Sequence, residues 1–135
     1  PERAIREMVR VTQSGGIITL RAQDARNGWE GHCKIPWVPF LPKHLESVWI
    51  KEFGKETKRR EGVYDITQPQ CEAVFRELNC RVIQKAPEPK ILIDKHWELE
   101  TEKQVRDAAR RIKRLCETGE WQPQAENLYL YVQKL

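Results

Sequence analysis

Between Thr101 and Thr118 the apolar residues are Val105, Ala108, Ala109, Ile112, Leu115 and Cys116. Steps of three and four put them on one stripe of a helix with 3.6 residues per turn. Thr101 with Gln104 three residues on is a capping-box spacing, and Gly119 supplies a stop, so the pattern predicts a helix between them. The same device recurs at Thr67 and Gln70. Pro69 falls in the first turn, where a missing N–H costs nothing, and Cys71, Val74, Phe75 and Leu78 form the stripe. Asn79 can end that helix in a left-handed conformation.

Elsewhere the period is two. Val9 and Val11 alternate with Arg10 and Thr12, and Ile18, Leu20 and Ala22 alternate with Thr19 and Arg21. With Ser14-Gly15-Gly16 between them, these runs predict an N-terminal β-hairpin, led in by a short helix whose Ala4, Ile5 and Met8 share a side. Residues 24–28 read as a turn. Trp29 to Val38 reads as a strand that Pro36 confines to an edge, closed by Pro39 and Pro42. Over 43–53, Leu45, Val48, Trp49 and Phe53 fit a helical stripe between Pro42 and Gly54. Val48-Trp49-Ile50 also favours a strand, which would make 54–62 a hairpin tip. Strands are further predicted over 63–66, 80–85, 91–99 and 128–134, with 86–89 as a connector.

From residue 63 the order is β-α-β-β-α-β, the split β-α-β or ferredoxin-like arrangement. It predicts an α+β fold with an antiparallel sheet and the helices on one face. Both halves share an outline of strand, Thr-x-x-Gln cap, helix and a strand ending in Gln-Lys, as an internal pseudo-repeat would. The expected organisation is a single α+β domain over 1–135. In it, a hairpin, strand and helix extension (1–62) precedes the β-α-β-β-α-β core (63–135).

Composition narrows the class. A hydrophobic content of 39% and five Trp in different segments argue against disorder and suit one core. The four Cys (33, 71, 80, 116) show no paired short spacing, which suggests reduced thiols and an intracellular, cytoplasmic setting. No signal peptide or long apolar run appears, so no membrane partner is expected. The charge balance is mild, 24 Lys and Arg against 20 Asp and Glu, net +4. It permits a polyanionic partner without demanding one.

Clustering makes more of that charge than its total. On the 101–118 helix, Lys103, Arg106, Arg110, Arg111, Lys113 and Arg114 lie off the apolar stripe, with Asp107 among them. Closely spaced cations suit phosphates, and Arg grips them bidentately. The same placement of basic residues late in a helix also suits the helix dipole in any protein. A second cluster, Lys55, Lys58, Arg59 and Arg60, sits in a Gly-bounded loop diluted by Glu56 and Glu61. Tyr129 and Tyr131 share one face of the last strand and are candidates to stack bases. The RNA-recognition domain shares the element order, but its aromatic octapeptide is absent, since 90–99 holds neither Gly nor Phe.

These features predict a nucleic-acid-binding module, DNA or RNA, accessory to a replication, repair or regulatory assembly. Lys103, Arg106, Arg110, Lys113 and Arg114 would contact phosphates, helped by Lys55, Lys58, Arg59 and Arg60. A protein-interaction module without enzymatic activity is the alternative. Catalytic readings rest on less. Asp94 and His96 share a strand face, His32-Cys33 offers a thiol, and Glu56-x-Lys58 with Asp65 resembles part of a metal nuclease site. No zinc spacing, P-loop or G-x-G-x-x-G occurs, so no metal or cofactor is expected.

Overall fold

The computed structural model describes residues 1–39, 41–87, 99–122 and 127–135, without the side chain of Arg59. It is a mixed α+β structure with antiparallel sheets. The chain forms two compact units. The first comprises 1–24, 66–88 and 126–135, and the second 25–65 and 89–125.

The first unit begins with helix α1 (Glu2–Val11), followed by strand β1 (Ile17–Gln23). The expected N-terminal hairpin does not form, because residues 9–11 are helical. Ile5 and Val9 stand four apart, so one helix face buries both, whereas Val11 is left 65% exposed. Two alternating valines do not outweigh that stripe. Salt bridges from Arg6 to Glu2 and Arg10 to Glu7, each 2.6 Å, line the outer side. The partner of β1 comes from the other end of the chain.

Helix α3 (Gln68–Glu77) and strand β4 (Cys80–Lys85) fall where the sequence pattern puts them. Helix α2 (Glu46–Glu52) belongs to the second unit. Thr67 and Gln70 make both halves of the capping box, and Asn79 takes a φ of 57° at the exit. Strand β5 (Asn127–Lys134) runs through the middle of a three-stranded sheet in the order β1-β5-β4, antiparallel to both neighbours. Ile18, Leu128, Leu130, Val132 and Cys80 point to one side and pack with Ile5, Val9, Cys71 and Phe75. The helices on this sheet are therefore α1 and α3.

The second unit holds two short strands, β2 (Trp29–Glu30) and β3 (Ile35–Pro36), paired antiparallel where one longer strand was expected. Lys34, at φ 56°, turns the chain between them. Gly28 is required by its surroundings: φ is +71°, and a Cβ there would lie 2.7 Å from the Trp121 ring. A 3₁₀ turn (Lys43–Leu45) leads into α2 (Glu46–Glu52), so the helical alternative for this segment is the one the chain takes, ending at the Phe53 cap. The basic segment forms α4 (Glu102–Glu117), with the Thr101/Gln104 capping box made and Gly119 at positive φ. It buries Val105, Ala108, Ala109 and Ile112 in a core with Trp37, Trp49, Ile35 and Ile50.

Among the described residues, two strands of the expected β-α-β-β-α-β core are seen, β4 and β5, and they pair directly. Residues 63–66 form no strand, and 91–98 lie outside the described residues. Among the described residues no helix is long and apolar enough to cross a membrane.

Candidate functional site

Helix α4 presents its basic residues as an amphipathic helix must once the apolar stripe is buried. Lys103 is 84% exposed and pairs with Asp107 at 3.0 Å. The Lys103 hydrogen bond and charge hold the Asp107 carboxyl below its ordinary range. Arg106, only half-exposed, pairs with Glu102 at 3.2 Å, and Arg110 reaches Glu52 at the end of α2 at 3.4 Å. Lys113 and Arg114 are exposed and carry no ion-pair partner among the described residues. Of the second cluster, Lys55 and Lys58 are exposed and equally unpaired among the described residues, within the same unit as α4.

Arg60 has a different role from the one its neighbours in sequence suggest. It is 4% exposed, and so does not stand with the surface cations. It closes a 3₁₀ turn (Thr57–Arg60) that carries it inward. Its Nη1 donates to Glu30 Oε1 at 3.2 Å, its Nη2 donates to Asp65 Oδ1, and its Nε lies 3.4 Å from Glu46 Oε2. The guanidinium carbon sits 3.9 Å from the Trp37 ring centroid, and Trp37 Nε1 donates to Asp65 Oδ2 at 3.1 Å. One arginine thus ties together β2, α2, Trp37 and the segment at Asp65. A buried guanidinium is tolerable only with such partners, because isolated charge is expelled from a low-dielectric interior.

The carboxylates of this cluster are held from the outside too. Lys43 Nζ lies 3.1 Å from Glu46 Oε2 and 4.9 Å from the Tyr64 ring centroid. Glu30 accepts from the Cys33 backbone N–H at 2.6 Å and is bonded by His32 Nδ1 at 2.8 Å. Burial pushes the Glu30 carboxyl up. The bonds from Cys33 and His32, with the charge of Arg60, more than offset that and leave it below its ordinary value.

This arrangement engages one of the three residues of the nuclease-like pattern. Asp65 is committed to Arg60 and Trp37, while Glu56 and Lys58 are exposed. Among the described residues no group of three or more His, Cys, Asp or Glu is placed to hold a metal ion. His32 and Cys33 meet at Glu30 rather than forming a thiol–imidazole pair. Asp94 and His96 lie outside the described residues. Glu30, Glu46 and Trp37 were not singled out by the sequence, and no local spacing ties them to Arg60.

Tyr129 and Tyr131 lie on the face of β5 opposite Leu128, Leu130 and Val132. Their rings meet edge-on with centroids 6.0 Å apart. Tyr131 is 40% exposed. No protein-family model, curated protein or solved structure matches the chain.

Proposed function

We propose that the protein is a nucleic-acid-binding module whose α4 meets the phosphate backbone. One observation carries the reading. With the apolar stripe of α4 buried, Lys113 and Arg114 are left exposed and, among the described residues, unpaired in the last two turns, on a helix that also exposes Lys103 and Arg110. Exposed cations without internal partners are the groups able to displace counterions from a polyanion. Lys55 and Lys58 add charge of the same kind, whereas Arg106 is partly occupied by Glu102 and Arg60 is withdrawn into the interior.

The test is oligonucleotide binding across a salt series, for wild type and Lys113→Glu/Arg114→Glu. Binding that weakens with salt is expected. The variant should lose roughly tenfold or more at low salt, with a salt slope shallower by about one for each residue reversed. A folded wild-type protein that binds no oligonucleotide at low salt defeats the reading and leaves a protein partner as the alternative.

A further inference from the structure

The second face of the three-stranded sheet is not explained by the fold. On β5 it carries Asn127, Tyr129, Tyr131 and Gln133, the positions that alternate with the core residues. The register places Thr19 beside Tyr131, Arg21 beside Tyr129 and Gln23 beside Asn127 on one flank. On the other flank Gln84 lies beside Tyr131 and Arg81 beside Gln133, with Arg81 Nη2 donating to Gln133 Oε1 at 2.8 Å. The surface therefore has two phenol rings at its centre, with Arg21 beside Tyr129, Arg81 beside Gln133 at one end, and side-chain amides around them.

Its charge is one-sided. The chain has 20 Asp and Glu, yet β1, β4 and β5 contain none. Solvated sheet faces usually mix both signs, which keeps them soluble without attracting one kind of partner. Arg21 is exposed and has no ion-pair partner among the described residues. Ile17 and Ile83, each 54% exposed, add apolar surface at the rims of the sheet.

We infer that this face is a stacking platform for single-stranded nucleic acid. Tyr129 and Tyr131 take the π-faces of adjacent unpaired bases, and Arg21 and Arg81 take the flanking phosphates. Gln84 and Asn127 offer donors and acceptors to base edges and sugars. A single strand is the fitting form, because bases inside a duplex already stack on one another and cannot present a face to a ring. The inference rests on residues of the first unit alone and stands independently of α4.

The test uses a fluorescently labelled eight-nucleotide oligo(dT), the same length of oligo(U), and a duplex, together with 2-aminopurine in the single strands as a stacking reporter. Tyr129→Ala/Tyr131→Ala is expected to weaken single-strand binding about 25-fold or more, and to abolish the 2-aminopurine response while leaving duplex binding unchanged. Tyr129→Phe/Tyr131→Phe, which keeps the rings, should bind within about threefold of wild type. If the double alanine variant does not fold, Tyr131→Ala at the more exposed ring carries the test, with an expected loss of about fivefold. Single-strand binding that survives loss of the rings overturns the platform. So does equal loss in the phenylalanine pair, or no single-strand binding by the folded wild type. Loss in Lys113→Glu/Arg114→Glu without loss in the tyrosine variants assigns binding to α4 and likewise overturns it.

Discussion

Arg60 and Arg114 belong to the same unit and carry the same side chain, but their settings are opposite. Arg60 is enclosed by Glu30, Glu46 and Asp65 with its plane over Trp37, while Arg114 stands in water on the last turns of α4. What separates them is the chain around them. Arg114 follows a continuous apolar stripe that fixes which way the helix turns. Arg60 closes a 3₁₀ turn that points inward, and carboxylates from remote segments make that direction tolerable. Within its own run Arg60 is buried while Lys55 and Lys58 are exposed, so a run of basic residues is not a unit of function. Members of one run can serve the interior and the surface at once.

Removing each arginine sharpens the contrast. Arg60→Ala should lower stability by about 3–5 kcal/mol, because it leaves buried carboxylates without a counter-charge. Lys113→Glu/Arg114→Glu should change stability by no more than about 0.5 kcal/mol. Urea denaturation of the two variants checks both expectations, and similar losses in each would break the comparison.

Acid provides a smaller perturbation of the same cluster. Glu30 has a folded pKa below its ordinary 4.5, so the unfolded chain binds its proton first as pH falls. The stability Glu30 contributes is then fully present above about 4.5 and is lost as pH drops through the lower folded value. Denaturation midpoints between neutral pH and pH 3 should fall less steeply in Glu30→Gln than in wild type. An unchanged slope would remove Glu30 from the network's energetics.

A more local effect concerns the cap that starts α4. Thr101→Ala removes the oxygen that accepts from the Gln104 backbone N–H at 3.2 Å, and should cost about 1 kcal/mol by thermal or urea melting. Oligonucleotide affinity should be retained wherever the helix remains folded, since no cation is touched. A loss of binding without a loss of stability would show that the start of the helix itself meets the ligand.

The sequence alone determined the pieces governed by short-range rules. Both Thr-x-x-Gln capping boxes, the left-handed exit at Asn79, the stripes of α3 and α4 and the alternation of β5 depend on residues a few positions apart. Their physics is contained in the local chain. The exposure of Lys103, Lys113 and Arg114 follows directly from the buried stripe.

Tertiary structure decided the rest. The alternation of β1 was visible, but its pairing with β5 at the far end of the chain was not, because a strand's pattern states its face and not its partner. Val9 looked like a strand residue until Ile5, one helical turn earlier, gave it a better way to be buried. The fate of Arg60 depended on Glu30, Glu46, Trp37 and Asp65, brought together by folding over distances that no local spacing encodes. Local periodicity fixes what a segment can be, and only long-range packing and charge compensation decide what it is placed against.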